Sequence, residues 1–219
     1  MINYKVLQIK SRETYSWLLN KHYAKRIPHI MFSFGLYNEK NLIGVLTYGR
    51  PASNALCVGV CGQEYSEYVF ELNRLCLLNN KKNEASFFIS KTLKLLKKPK
   101  IIVSYADTNM DHNGYIYQAT NFLYTGMSAK RTEWRMKGSN RHSKTITEQS
   151  TLEDRIKNTE LYERVERPRK HRYIYFAADK KTKKLFYSKL NYKIKQYPKG
   201  VSKKYDAAGK IKSQLIFNF

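Results

Sequence analysis

The sequence predicts an α/β fold, a mixed and mostly antiparallel central sheet flanked by helices, with a basic C-terminal extension. Three observations predict it. The runs FSFGLY at 32–37 and LIGVLTYG at 42–49 read as two strands joined by Asn38-Glu39-Lys40-Asn41, a hairpin. Between 84 and 96, Ala85, Phe88, Ile89, Thr92, Leu93 and Leu96 form one helical face, and Lys91 and Lys94 form part of the other. Lys97 and Lys98 follow, and Pro99 stops the helix. Residues 101–126 then combine a β-branched strand (Ile101-Ile102-Val103), a polar loop, and a short helix over 115–122 before extended chain resumes at Tyr124.

The remaining elements follow in order. Lys5 to Lys10 is an opening strand. Ser11 is the expected N-cap of a helix with Glu13 in its first turn, and Tyr15, Leu18, Leu19 and His22 share a face. That helix is expected to end near Tyr23, and the structural alternative for His22 is a last-turn cation complementing the helix dipole. Residues 52–66 read as loop, and residues 68–77 alternate as a strand. Asn83 is positioned to cap the helix that begins at Glu84. Residues 124–138 read as a further hairpin, and Thr151-Leu152-Glu153-Asp154 as a helix start. Tyr173 to Phe176 reads as the last strand. The expected division is a main domain over 1–178, with a basic insertion at 139–172, and a Lys/Tyr-rich arm over 179–219 that is either solvated or nucleic-acid-contacting.

Charge is the strongest global signal. Lys and Arg total 41 against 17 Asp and Glu, giving +24 over 219 residues. A field of this sign attracts polyanions. With 18 Tyr and 10 Phe, stacking on bases is also available. No apolar run reaches the length of a membrane span, no signal-peptide pattern opens the chain, and the basic segments lack a clean amphipathic face. A cytoplasmic protein without membrane partners is expected. Cys57, Cys61 and Cys76 include no Cys-x-x-Cys pair, and read as small buried hydrophobes in a reducing compartment.

Polar groups at the carboxyl end of a strand in an α/β sheet are where ligands bind. Ser104 and Asp107 lie at such an end, with Asp111 and His112 in the loop behind. The structural alternative for the aspartates is helix capping and loop solvation. Arg74 reads as a phosphate or developing-charge ligand. Its structural alternative, a bridge to Glu71, is weakened because the two face opposite sides of a regular strand. His22, Asp107 and His112 are also a conceivable His/His/carboxylate metal set.

The order of elements is similar to that of GNAT-type acyltransferases. The blocks HYAKR (22–26), ELNRL (71–75), SYAD (104–107), HNGYIYQATNF (112–122) and YTG (124–126), with the hairpin runs, resemble the Mom-type DNA adenine modification proteins of phages. The resemblance covers about residues 15–176. It implies a GNAT-like fold and conversion of DNA adenine to an N6-carbamoylmethyl form that shields phage DNA from restriction. Adenine N6 is a poor nucleophile, so a protein acting on it must unstack the base, hold its edge and accept a proton. Asp107 is the expected base or base-orienting carboxylate, with Ser104, His22 and Tyr23 as relay or base-binding groups. Arg74, Lys81, Lys82, Asn83, Ser86, Tyr117 and Asn121 are expected to hold the donor. Lys25, Arg26, Arg131, Arg135, Arg141, Arg167, Arg169, Lys170 and Arg172 are expected to contact double-stranded DNA.

The chain departs from GNAT enzymes at 79–86, where no glycine stands in place of the loop that cradles the coenzyme A pyrophosphate. The donor is therefore left between an acyl-CoA-like carrier and an activated glycyl group, with glycyl-tRNA as the polyanionic choice. Two other readings stay open: a non-catalytic DNA-binding protein on a GNAT-like scaffold, and an N-acyltransferase for a protein or small amine.

Overall fold

The computed structural model describes residues 4–139, 141 and 143–200. The part of the expected arm beyond 200 lies outside them. The mixed, mostly antiparallel sheet flanked by helices is present. Seven strands run in the order β1 (Tyr4–Gln8), β2 (Phe32–Asn38), β3 (Asn41–Gly49), β4 (Val69–Leu77), β5 (Lys100–Asp107), β9 (Lys170–Ala177), β6 (Leu123–Met127). All neighbours are antiparallel except β4 and β5. β7 (Arg131–Met136) and β8 (Tyr162–Arg167) form a separate two-stranded ribbon.

Helices cover both faces of the large sheet, because alternate strand residues are apolar on each side. On one face, α3 (Glu84–Leu95) and α4 (Tyr115–Gln118) contribute Phe88, Ile89, Leu93 and Tyr117 to a core with Phe34, Leu46, Tyr48, Leu72 and Ile102. The expected face of α3 is the buried one. On the other, α2 (Asn54–Cys61) and α7 (Lys180–Lys189) pack Val60 and Phe186 on Val69, Ile101, Val103 and Ile174. Leu18 of α1 (Tyr15–Asn20) packs there too, on Val45 and Cys76. All three cysteines are buried free thiols, as expected.

Several expectations are corrected. Residues 52–66 are not loop: Ser53 accepts the Leu56 amide and caps α2, and the Gly62 turn (φ 95°) follows it. Lys10, not Ser11, is the first N-cap, with its amide donating to Glu13 at 2.9 Å. Asn83 sits in the left-handed region (φ 64°) and makes no side-chain cap. The strands within 124–138 do not pair with each other. β6 joins β9, while β7 joins β8 across residues 137–161, which carry α5 (Ser143–Gln149) and α6 (Leu152–Lys157).

The early arm is folded onto the domain. After α7 the chain runs along the β6 edge, where the Lys195 amide donates to the Tyr124 carbonyl and the Tyr197 hydroxyl donates to the Phe122 carbonyl. Tyr115 then donates to the Gly200 carbonyl at 2.5 Å, tying this segment to the start of α4. Among the described residues no helix is long and apolar enough to cross a membrane.

Candidate active site

The large sheet opens between β4 and β5. The two strands pair only over Val69–Glu71 against Ile101–Val103, although both continue. The cause lies in β4. Thr47 faces Arg74 and Tyr48 faces Leu72, so Asn73 is an extra residue, a bulge that bends the strand away. Its side chain fixes the bulge, accepting from Thr47 Oγ1 at 2.6 Å and donating to the His29 carbonyl at 3.0 Å.

The bulge also resets the alternation. Glu71 lies opposite Gly49 and Arg74 opposite Thr47, two residues apart on β3, so Glu71 and Arg74 share the face of the sheet on which α1 packs. This corrects the sequence-based expectation that they point apart. Arg74 donates through Nη1 to the Asn73 carbonyl at 2.7 Å, while its Nε is buried without a partner among the described residues. Burial lowers the Arg74 pKa, with Tyr23 and Glu71 opposing the shift. Burial raises the Glu71 pKa, with Arg74 and Lys170 pulling it back. Glu71 is the carboxylate that the sequence reading left without a functional role. Only the bulge, invisible in a one-dimensional pattern, brings it beside Arg74.

Two further segments reach the same end of the sheet. The turn after α1 presents His22 and Tyr23, whose rings stack at 4.5 Å. His22 is buried, and its Nδ1 accepts the Ala24 amide at 3.1 Å. Burial, then Arg74 and His112, lower its pKa to about 4. It is a neutral acceptor, not a helix-terminal cation. Tyr23 keeps 46% of its surface exposed, yet local loss of water, then Asp107, raise its pKa, with Arg74 opposing.

Asp107 ends β5, and the β5–β9 register sets it opposite Lys170, whose Nζ lies 2.7 Å from Oδ2. Its other oxygen accepts the Asn109 amide at 3.1 Å. Asp107 is thus both a cap and an ion-pair partner. His112, whose amide donates to the Asp107 carbonyl, has its pKa lowered by burial, with Asp107 and Asp111 opposing. Ser104 and Tyr117 lie on the α4 side. Ser104 donates to the Leu72 carbonyl at 3.0 Å, bridging the opened strands. Burial raises the Tyr117 pKa. Ser104 lowers it, and the charges of Tyr23 and Glu71 raise it further.

The donor set divides. Arg74 and Tyr117 reach the opening. Lys81, Lys82 and Asn83 are exposed before α3, and Ser86 donates to the Asn83 carbonyl. Asn121 is exposed in a left-handed turn after α4 (φ 61°). The α3 start does not suit a diphosphate. The Glu84 carboxylate, 2% exposed, accepts the Lys81 amide at 3.0 Å and the Tyr4 hydroxyl at 2.8 Å. A carboxylate therefore already takes up the loop amide just before this helix. Nor does the His22, Asp107 and His112 set assemble as ligands. Among the described residues no three His, Cys, Asp or Glu side chains are arranged to hold a metal ion.

The DNA set also divides. Lys25 and Arg26 are exposed in the turn beyond Tyr23. Arg131, Arg135 and Arg167 lie on the ribbon, and Arg141 reaches Gln149 beside α5. The 169–172 run is engaged internally. Arg169 donates to the Ser128 carbonyl at 2.6 Å, and Lys170 pairs with Asp107. Arg172 donates to Thr125 and lies 3.4 Å over the Tyr192 ring.

These features define a mixed α/β protein whose split sheet holds a cluster of buried and half-buried charges. Compared with known proteins, residues 3–199 match the Mom protein family, and the chain belongs to it. It is 29% identical over 190 residues to methylcarbamoylase mom of Escherichia phage Mu, covering 82% of this chain and 77% of that protein. Solved structures of similar layout are acetyltransferases. The aminoglycoside N(6')acetyltransferase of Legionella pneumophila has a TM-score of 0.45 at 8% identity, covering 86% of this chain and 97% of that one. The Bacillus subtilis acetyltransferase in complex with CoA has a TM-score of 0.40 at 10% identity, covering 80% and 99%.

Proposed function

We propose that this protein is a transferase that modifies adenine at N6 in double-stranded DNA to the carbamoylmethyl form, protecting phage DNA from restriction in the host cytoplasm. The observation that carries the reading, beside family membership, is the convergence of Glu71, Arg74, Asp107, His22, Tyr23 and Tyr117 on the opening between β4 and β5. An extruded base entering there meets a carboxylate held by Lys170 to accept a hydrogen bond from its edge. Glu71, its pKa raised, takes the N6 proton, and the partnerless Arg74 Nε steadies developing negative charge. His22, kept neutral, and Tyr23 line the base side.

The donor in this reading is an activated glycyl ester, with glycyl-tRNA as carrier. Glu84 at the start of α3 supports it over a coenzyme A thioester, because a buried carboxylate repels a diphosphate there. N6 attacks the ester carbonyl, the N6–C bond forms, and the C–O bond breaks. The leaving ribose hydroxyl takes up the proton. The glycyl amine then attacks C6 through a five-membered ring and expels the original nitrogen as the terminal carboxamide. No oxidant is consumed. Feeding glycine labelled at nitrogen and α-carbon to expressing cells tests this. Both labels should appear in modified adenine, with the labelled nitrogen as N6. Absence of label removes glycine as the donor, and labelled carboxamide nitrogen removes the rearrangement.

A further inference from the structure

The ribbon has no place in that chemistry, yet its base adjoins it. Ser128 donates its amide to the Lys170 carbonyl at 2.7 Å, and Ser128 Oγ accepts the Lys170 amide at 2.9 Å. Thr108 donates to the Arg169 carbonyl at 2.6 Å, so the ribbon is clamped to the loop that follows Asp107. From this base β7 and β8 extend for six residues each, roughly 20 Å, paired with no other strand among the described residues.

The two faces of the ribbon differ. Thr132, Trp134 and Met136 lie opposite Glu166, Arg164 and Tyr162. On this face Arg155 of α6 packs over Trp134 at 5.7 Å. The opposite face carries Arg131, Glu133 and Arg135 against Arg167, Val165 and Glu163. Arg131 stands directly across from Arg167, a like-charge pair that opposes strand pairing. Glu133, 3.2 Å from Arg135 and 3.7 Å from Arg167, and Glu163, directly across from Arg135, are the counter-charges. With three arginines against two carboxylates, and Arg135 and Arg167 about half exposed, this face keeps a net positive charge that a polyanion complements.

We propose that the β7–β8 ribbon docks in the major groove of duplex DNA, with Arg131, Arg135 and Arg167 reaching the flanking phosphates and Glu133 limiting how tightly they bind. This rests on the DNA-modification reading. A major groove about 12 Å wide admits a two-stranded ribbon, whereas that of A-form RNA is too narrow. The clamp at Ser128 and Thr108 places the opening of the sheet next to the groove being gripped.

The test is titration of the full chain with a labelled duplex DNA between about 50 and 200 mM salt. Replacing Arg131, Arg135 and Arg167 together with Ala should weaken binding at least tenfold and flatten the log–log salt slope by about two to three. Glu133→Gln should tighten binding several-fold, a gain that misfolding does not produce. Unchanged affinity and slope in the triple variant, weaker binding by Glu133→Gln, or equal ribbon-dependent binding of duplex RNA overturns the proposal. Intact ribbon-dependent binding with unmodified DNA in expressing cells would instead remove the reaction and leave the ribbon.

Discussion

At the sheet opening, Asp107 and Lys170 form an ion pair with 14% and 28% side-chain exposure, and Glu71 and Arg74 sit behind it with shifted proton affinities. On the ribbon, Arg135 and Arg167 are 47% and 46% exposed and share Glu133. The same residue types are used differently because their surroundings differ. Where water is removed, a charge is costly and its pKa moves, which is useful for proton transfer. Where water remains, the charge acts at a distance that salt can screen.

If this contrast holds, substitutions at the opening should change turnover, and substitutions on the ribbon should change affinity. The largest effect is expected from Asp107→Asn, which should lower modification by at least about a hundredfold with DNA affinity unchanged. If Asp107 served only as a cap for residues 108–110, the loss would appear instead as about 1 kcal/mol of stability. Glu71→Gln should produce a comparable loss. In the parent protein, activity should fall as pH drops through the raised Glu71 pKa, because the acceptor is then already protonated. A wild-type pH profile in purified Glu71→Gln would assign the proton to another group.

His22 sharpens the comparison through stability. Above its ordinary value of 6.5 neither folded nor unfolded chain holds the extra proton. Between 6.5 and about 4 the unfolded chain takes it up and the folded one does not, so stability should decline with acid over that window. The shift corresponds to roughly 3 kcal/mol at most. His22→Gln should flatten the decline, measured by denaturant unfolding at a series of pH values. An unchanged decline would show that His22 titrates normally.

The smallest effect belongs to the ribbon's support. Thr151 caps α6, accepting the Asp154 amide at 3.1 Å. Thr151→Ala should cost about 1 kcal/mol in unfolding experiments. Turnover at saturating DNA should not change, and a lowered value would mean that ribbon and opening are not separable.

The elements whose periodicity carries their burial were legible in the sequence: the hairpin, the face of α3, and the strand reaching Asp107. α2 was not, because its Ala, Leu, Cys, Val and Gly residues are nearly uniform in polarity and its apolar face has no contrasting one. α7 was hidden for the opposite reason, since one buried Phe186 anchors a lysine-rich segment. In the site, Asp107, His22 and Tyr23 stood out as residue types at element ends. Two relations could not be read. Glu71 meets Arg74 only through the bulge at Asn73, and Asp107 meets Lys170 only through a strand register spanning the whole ribbon excursion. Gly114 shows the same dependence. Its φ of 74° and a Cβ position 2.4 Å from the Tyr173 ring tie the site loop to β9, which its sequence neighbourhood does not reveal.

The central claim is that the opening modifies adenine in DNA. Mass analysis of nucleosides from DNA of cells expressing the wild-type chain and Asp107→Asn tests it most directly. The account predicts an N6-carbamoylmethyl adenine in the first and its near absence in the second. Ordinary adenine alone with the wild-type chain, under conditions where the purified protein binds duplex DNA, would contradict it.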